Sequence, residues 1–274
     1  MSKFDLKEKL DHALYDAYNI ATEIKYALDF KTKSIIRKNL LFKNTHIGRR
    51  CFILGTGPSL SLLTDDNIEQ LSKEITFGVN SLYKSKIASK VIPSYYALMD
   101  NLYWEALNGT FSEIANKYCE NPPIFITDVR AKGVIDALPR DVSAMYIYSK
   151  KYPTKKMSAE IDKNIYAAMN VISYSILSAL HMGFREIYLL GCDYNAFCTL
   201  GKGHCYDDKS EANDFNYDLA FYLKYYCITT EFHYLIAKLA KSMNVTILNL
   251  TPNSLLDAYP RGSIEEILQQ HSAA

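Results

Sequence analysis

The chain has 274 residues, 49% of them hydrophobic and 22% charged, and its formal net charge at pH 7 is +1. These values are typical of a globular protein with a large core, and a charge so close to neutral excludes an overall electrostatic argument for nucleic acid. No apolar run reaches the roughly 18 residues that a membrane span requires, and the six cysteines form no C-x-x-C pair, so we expect reduced thiols in the cytoplasm.

The N-terminal part is predicted to be helical and then basic. Residues 4–30 lack Pro and Gly, and apolar residues recur there at alternating spacings of four and three, which gives a heptad-like seam. The seam comprises Leu6, Leu10, Ala13, Ala17, Ile20, Ile24 and Ala27. Such a helix packs either on its own domain or against another subunit, as a homo-oligomer. Residues 31–50 carry seven Lys or Arg and no Asp or Glu, which fits either a solvated surface or peripheral contact with an anionic inner membrane.

The first predicted strand is followed by a turn that contains two glycines. Residues 51–54 are predicted to be a short buried strand, and Gly55-Thr56-Gly57-Pro58-Ser59 turns the chain, with Ser59 as the cap of a helix over residues 60–71. Glycines let a backbone approach a ligand closely, and amides at a helix start attract an anion. The turn therefore indicates a phosphate-bearing ligand, although a plain connection also explains it. It matches neither the Walker loop nor the three-glycine dinucleotide fingerprint.

Strands and helices alternate along the rest of the chain. Buried strands are predicted at residues 74–80, 95–99, 122–128, 144–148, 186–191 and 245–250, and helices at 169–182 and 219–243. This alternation predicts an α/β fold with a doubly wound, mostly parallel, Rossmann-like sheet. We place an N-terminal helical extension at residues 1–48 and the Rossmann-like domain at 49–274. Residues 195–218, rich in Gly, Asp, Asn and Lys, are predicted to form a lid loop.

Polar residues follow most of the predicted strands, where ligands bind in doubly wound sheets. These residues are Thr56, Ser59, Asn80, Asp100, Asp193 and Asn253. Each of them alone is explained as a turn or cap residue, but together they predict a nucleotide site. His204, in the predicted lid loop, is the best candidate for a general base, because an unperturbed imidazole titrates near pH 6.5. A surface histidine without a role is the alternative interpretation.

Four motifs, in this order, resemble a known group of proteins. They are Ile-Leu-Gly-Thr-Gly-Pro-Ser-Leu at 53–60, Gly-Val-Asn-Ser at 78–81, Gly-Phe-Arg-Glu-Ile-Tyr-Leu-Leu-Gly-Cys-Asp-Tyr at 183–194 and Thr-Pro-Asn-Ser-Leu-Leu at 251–256. Over residues 49–262 the chain is similar to the bacterial CMP-sialic acid sialyltransferases of the Campylobacter lipo-oligosaccharide type. It is equally similar to the 6-hydroxymethylpterin pyrophosphokinase-like Rossmann proteins that occur in surface-glycan loci.

The resemblance implies roles for individual residues. The implied nucleotide-binding set is Gly55, Thr56, Gly57, Pro58, Ser59, Asn80, Asn170, Gly191, Asp193, Asn253 and Ser254. The sialyltransferases carry their catalytic histidine in the region of His204, and Tyr194 or Tyr206 would donate a hydroxyl to the leaving phosphate. Asp100 stands where they have an asparagine near the sugar and phosphate, and Asn170 begins the pair that replaces their Thr-Ser.

Glycosyl transfer is the function that we expect from these features. A sugar (sialic acid, Kdo or a related keto-sugar) would move from a CMP-activated donor to a surface-glycan or lipid-linked acceptor, with inversion and with His204 as base. No Asp-x-Asp pair occurs in the sequence, so we expect neither a metal site nor a required cofactor. Two alternatives stay open. One is a Mg²⁺-dependent pyrophosphokinase of the hydroxymethylpterin type, with Asp100 and Asp193 on the metal, and the other is a non-catalytic nucleotide-binding component of a glycan-assembly complex.

Overall fold

The computed structural model describes residues 3–198, 203–207 and 218–269, with side chains from residue 9 onward. The strands are β1 (Arg50–Leu54), β2 (Thr76–Val79), β3 (Tyr95–Leu98), β4 (Ile124–Asp128), β5 (Ala144–Ile147), β6 (Ser149–Lys151), β7 (Ile165–Tyr166), β8 (Glu186–Leu190) and β9 (Thr246–Asn249). The α-helices are α1 (Lys3–Leu28), α2 (Phe30–Ile36), α3 (Asp65–Leu71), α4 (Leu102–Glu105), α5 (Thr110–Lys117), α6 (Lys132–Asp136), α7 (Val171–His181), α8 (Leu219–Ser242) and α9 (Ile264–Gln269). No helix among these residues is both long and apolar enough to cross a bilayer.

Within the described chain, seven parallel strands form the central sheet, in the order β5-β4-β3-β2-β1-β8-β9. Phe52 of β1, for example, pairs with Thr76 of β2 on one side and with Tyr188 of β8 on the other. The sheet therefore winds in opposite directions from β1, which confirms the predicted doubly wound, parallel fold. A crevice opens beyond the carboxyl ends of β1 and β8 at this point of reversal, where ligands bind in sheets of this class.

Both faces of the sheet are covered, because its strands are apolar on both sides. Cys51 and Ile53 belong to a core that includes residues of α7 and α8, whereas Phe52 and Leu54 belong to a second core with residues of α5 and α9. Consecutive strand residues point to opposite faces, and continuous apolar runs are typical of strands buried in parallel sheets. The predicted strands of the central sheet are all observed, within two residues of their expected ends.

The N-terminal helix packs on a small sheet that the sequence did not predict. The short strands β6 and β7 pair in parallel, and α1 lies against them. The ring of Tyr15 stacks on that of Tyr152 with 3.7 Å between centroids, and the side-chain amide of Asn19 both donates to and accepts from the backbone of Tyr152. The heptad-like seam faces away from this contact. All of its members with described side chains are exposed, Leu10 at 59% and Ile20 at 63% among them. The seam does not pack on its own domain.

The segment after β1 differs from its prediction. A 3-10 helix, Pro58–Leu62, follows Gly57, and α3 begins only at Asp65. Thr64 caps α3, since its hydroxyl accepts the backbone N–H of Asn67 and the Asn67 side chain accepts the N–H of Thr64 in return. The prediction of Ser59 as the helix cap is wrong, because the Ser59 hydroxyl instead donates to a carboxylate beyond β8.

Candidate functional site

A cleft of about 280 Å³ lies beyond the carboxyl ends of β1, β2 and β8. Many of the predicted site residues line it, namely Gly55, Thr56, Gly57, Asn80, Asn170, Gly191, Asp193, Tyr194 and His204. They come from segments that are far apart in the sequence, so the sheet topology brings them together. Asn80 and Tyr194 adopt left-handed φ angles of 46° and 58°. Residues other than glycine rarely adopt this conformation, and it is concentrated at functional sites.

The glycine turn forms one wall of the cleft and packs against the end of β8. The N–H of Gly55 donates to the carbonyl of Leu190 and that of Gly57 to the carbonyl of Gly191, both at 2.8 Å. A Cβ on Gly55 would lie 2.4 Å from the Gly191 carbonyl oxygen, so only glycine permits this approach. These glycines are therefore required by contact with the protein's own backbone.

A carboxylate of the protein itself holds the start of the 3-10 helix. Asp193 is buried, and it accepts the backbone N–H of Ser59 at 3.3 Å and its hydroxyl at 2.7 Å. Three N–H groups of this turn are therefore engaged within the protein, and binding of a phosphate by the turn stays a prediction. The N–H groups of Gly55, Gly57 and Ser59 all have acceptors within the protein.

The N-terminus of α7 also lines the cleft. Asn170 caps this helix of 11 residues, with its side-chain oxygen accepting the N–H groups of Ile172 at 2.9 Å and Ser173 at 3.4 Å. Asn170, Val171 and Ile172 line the cleft. Helix N-termini carry a partial positive charge and attract anions. The part of the cleft that favours a negative charge is thus the start of α7 rather than the glycine turn.

His204 is held at the cleft by a backbone hydrogen bond between its neighbour Cys205 and the glycine turn. The backbone N–H of Cys205 donates to the carbonyl of Thr56 at 2.8 Å, which anchors residues 203–207 against the glycine turn. The imidazole of His204 lines the cleft and stacks on the ring of Tyr206, with 5.0 Å between centroids and 17° between planes. Tyr206 is buried and does not line the cleft. Its ring contacts that of His204, and its role as a hydroxyl donor to the leaving phosphate stays a prediction.

Tyr194 lines the cleft, but its hydroxyl has a partner in α8. The Thr229 hydroxyl donates to the carbonyl of Tyr225 at 2.8 Å and bonds the Tyr194 hydroxyl as well. Because Thr229 has a single hydroxyl proton, Tyr194 is the donor of the pair. Donation from Tyr194 to a leaving phosphate would require this bond to be exchanged, and it stays a prediction.

Comparison with known proteins places the chain in a family. Residues 18–197 match the family model described as 6-hydroxymethylpterin diphosphokinase MptE-like. The chain belongs to the MptE-like family. This confirms the pterin pyrophosphokinase-like part of the sequence resemblance. None of the curated proteins matches the sequence significantly.

Solved structures of two glycosyltransferases are similar to this MptE-like chain. The MAf glycosyltransferase of Magnetospirillum magneticum AMB-1 is 14% identical with a TM-score of 0.50, and the match covers 85% of this chain. The chain spans only 38% of the length of that enzyme. The sialyltransferase CstII of Campylobacter jejuni, in complex with CMP-3FNeuAc, is 18% identical with a TM-score of 0.49, and the match covers 78% of this chain and 86% of CstII.

Three lining residues from α8 were missed by the sequence analysis. Tyr225 donates its hydroxyl to the carbonyl of Met169 at 2.9 Å, and the Tyr226 ring meets that of Tyr194 edge to face at 4.6 Å. His233 lines the floor of the cleft. The available signal was the spacing of Tyr225, Thr229 and His233, because residues four apart share one face of a helix.

Several predicted site residues of the MptE-like chain do not line the cleft. Pro58 and Ser59 lie behind the glycine turn, and Asn253 is exposed beyond β9. Ser254 instead holds the loop after β8, since its hydroxyl donates to the carbonyl of Cys192 at 2.6 Å. Asp100 is exposed and accepts the N–H of Leu102. The predicted lid loop, 195–218, lies in large part outside the described residues.

No group of three or more His, Cys, Asp or Glu suited to a metal ion occurs in the described part of the chain. The acidic residue of the cleft lining there is Asp193, and both of its oxygens are engaged by Ser59. Burial raises the pKa of Tyr225, and the negative charge of Asp100 contributes to the rise. Of the two carboxylates that the pyrophosphokinase hypothesis assigns to a metal, Asp193 lines the cleft and Asp100 does not.

Burial of His233 makes a pH dependence of stability predictable. Its imidazole contacts the hydroxyls of Tyr259 at 2.9 Å and Ser173 at 3.2 Å, and burial lowers its pKa from 6.5 to about 3. In the unfolded chain His233 binds a proton near pH 6.5, whereas in the folded chain it stays neutral. The stability is therefore not reduced by this histidine above pH 6.5, and protonation of the unfolded chain lowers it as the pH falls towards 3. Between pH 7.5 and 5, we expect His233 to lower the free energy of unfolding by about 2 kcal/mol.

Urea denaturation of the wild type and of His233→Gln at both pH values measures this effect. The difference between the two pH dependences isolates residue 233, because the other titrating groups are common to both proteins. Parallel pH dependences would contradict a neutral, buried His233.

Proposed function

We propose that the chain is a glycosyltransferase that moves a keto-sugar, such as sialic acid or Kdo, from a CMP-activated donor to a hydroxyl of a surface-glycan acceptor. The observation that carries the proposal is that one cleft contains both the N-terminus of α7 and the imidazole of His204. The four sequence motifs that resemble CMP-sialic acid sialyltransferases support CMP as the nucleotide. The fold shared with a MAf glycosyltransferase agrees with glycosyl transfer as the reaction class.

The donor phosphate lies at the start of α7 in this proposal. The side-chain oxygen of Asn170 accepts the N–H groups of Ile172 and Ser173 and does not accept that of Val171. A nucleoside monophosphate needs only hydrogen-bond donors and a positive end of a dipole to leave as an anion. Asp193 accepts the N–H and the hydroxyl of Ser59, so part of its hydrogen-bonding capacity is used within the protein.

His204 acts as the general base. Its imidazole takes the proton of the acceptor hydroxyl while the hydroxyl oxygen attacks the anomeric carbon. The bond from that carbon to the phosphate oxygen breaks, and CMP leaves with the bonding electrons on the opposite side. Displacement in line inverts the anomeric centre. Stacking on Tyr206 fixes the plane of the imidazole for this step.

A pyrophosphokinase is the second candidate, and the family name favours it. That reaction would transfer diphosphate from ATP to a pterin alcohol with Mg²⁺. In this case Asp193 would have to exchange Ser59 for the metal, and Asp100 would have to turn towards the cleft.

Product analysis under two conditions separates the two candidates. The full chain is incubated with CMP-sialic acid or CMP-Kdo in EDTA, and separately with ATP, Mg²⁺ and 6-hydroxymethyl-7,8-dihydropterin. We expect release of CMP in EDTA, through slow transfer to water when no acceptor is present, and no AMP in the second mixture. AMP formation without CMP release would overturn the proposal.

A further inference from the structure

Helix α1 presents an apolar face that no part of the described chain covers. The face consists of Leu10, Leu14, Ala17, Ile20, Ile24 and Leu28, and its five large side chains are 57–70% exposed. At 100° per residue this face lies opposite Tyr15, Asn19 and Tyr26, the side that contacts the rest of the protein. Packing against the small sheet therefore fixes the helix in place and turns the apolar face outward.

We propose that this face is a dimer interface, which pairs with the same face of α1 in a second copy of the chain. Its residues follow the four-and-three spacing with which helices pair side by side. Ala17, the one small residue of the face, lies between branched residues and lets two helices approach closely there. The proposal is independent of the proposed function of the cleft.

The size of the face matches a specific interface. The residues concerned extend over about 27 Å of helix, at ~1.5 Å per residue. Their exposed surface is on the order of 600 Å² per copy, near the ~800 Å² per partner that stable protein interfaces bury. The face lies at the upper end of the about 300–600 Å² that the largest apolar patch of a monomer usually covers, and such patches are often functional.

The charges of α1 favour a second protein chain over a lipid surface. The helix contains four Lys and five Asp or Glu. Helices that lie in a membrane interface are instead rich in Lys and Arg, which anionic lipids attract. The basic residues follow α1, in the segment around the 3-10 helix Arg37–Phe42, where Leu41 is 78% exposed. The apolar face and the basic segment are thus separate features, which a pair of substitutions can test one at a time.

Sedimentation of the full chain and of two variants tests the proposal. The wild type should sediment at twice its chain mass of 31.2 kDa. Ile24→Glu places a carboxylate in the centre of the face in both copies, and it should raise the dimer dissociation constant by at least ~100-fold, since an unpaired charge is costly to bury. Leu41→Glu adds the same group at an exposed apolar residue outside the face and should leave the dimer intact. Circular dichroism confirms that both variants are folded.

Three results would overturn the dimer interface. They are sedimentation of the wild type as a monomer at every concentration, a dimer that persists in Ile24→Glu, and equal dissociation of the dimer in Leu41→Glu. Flotation with vesicles containing anionic lipid identifies the other occupant. A monomer that binds vesicles and loses this binding with Ile24→Glu would assign the face to lipid.

Discussion

Replacement of His204 by alanine is expected to slow sugar transfer by about 100- to 10,000-fold, the usual contribution of a general acid or base. The affinity for CMP should change little, because the proposed phosphate position is at the start of α7. Initial rates of transfer and calorimetric titration with CMP measure the two effects separately. Retained turnover would remove His204 from the proposed chemistry.

Tyr206→Phe is the matched control for this variant. It keeps the ring that stacks on the imidazole and removes only the hydroxyl. If Tyr206 supports His204, turnover should stay within about tenfold of the wild type, whereas loss of a catalytic proton donor costs at least ~100-fold. A loss as large as that of His204→Ala would support the prediction that the Tyr206 hydroxyl acts on the leaving phosphate.

Gly55→Ala is expected to lower the free energy of unfolding by about 3 kcal/mol, at the upper end of the usual cost of overpacking. The added Cβ would lie 2.4 Å from the carbonyl oxygen and 2.9 Å from the carbonyl carbon of Gly191. Both atoms belong to backbone at the end of β8. They cannot retreat without lengthening the bonds from Gly55 to Leu190 and from Gly57 to Gly191.

Gly133→Ala in α6 provides the comparison, because a Cβ there meets nothing within 4 Å. Alanine in a helix is favoured over glycine by about 0.5–1 kcal/mol, so this variant should be as stable as the wild type or slightly more so. Urea denaturation of both variants decides the point. Equal stabilities would show that the glycine turn does not depend on close approach to β8.

The sheet could be predicted from the sequence because its strands are buried on both faces. A run such as residues 51–54 is apolar throughout, and only a strand between two helical layers requires that. The strands β6 and β7 could not be found in this way. Strand β6 has three residues, two of which are Lys150 and Lys151, and β7 has only two residues. Neither strand is long or apolar enough to show a pattern.

Some of the residues that meet at the cleft were also predictable, but how they are bonded was not. Asn80, Asn170, Asp193 and His204 follow or precede predicted elements, and parallel topology brings such positions to one edge. The sequence does not reveal that Asp193 bonds Ser59, because the two residues are separated by 134 positions and neither belongs to a local motif with the other. Tyr225 and His233 could not be recognised as lining residues from the sequence, because the apolar periodicity of α8 already explains both as packing residues of the helix.

The N-terminal seam illustrates a different limit. Its spacing predicted a helix with an apolar face along one side, and α1 is such a helix. Contact with the domain is instead made by Tyr15 and Asn19, through ring stacking and bonds to backbone. Hydrophobic periodicity identifies a face that favours burial, and it does not say which molecule buries it.

Calorimetric titration of CMP into the wild type and into Asn170→Asp, in the presence of EDTA, tests the nucleotide cleft most directly. Aspartate caps a helix as well as asparagine does, so α7 should remain intact, but its carboxylate adds a negative charge where we place the phosphate. We expect the wild type to bind CMP without a divalent cation. Asn170→Asp should bind CMP at least ~10-fold more weakly, which corresponds to about 1.4 kcal/mol, while cytidine, which has no phosphate, is affected far less. Absence of CMP binding to the wild type, or equal CMP affinities of the two proteins, would contradict a phosphate held at the start of α7.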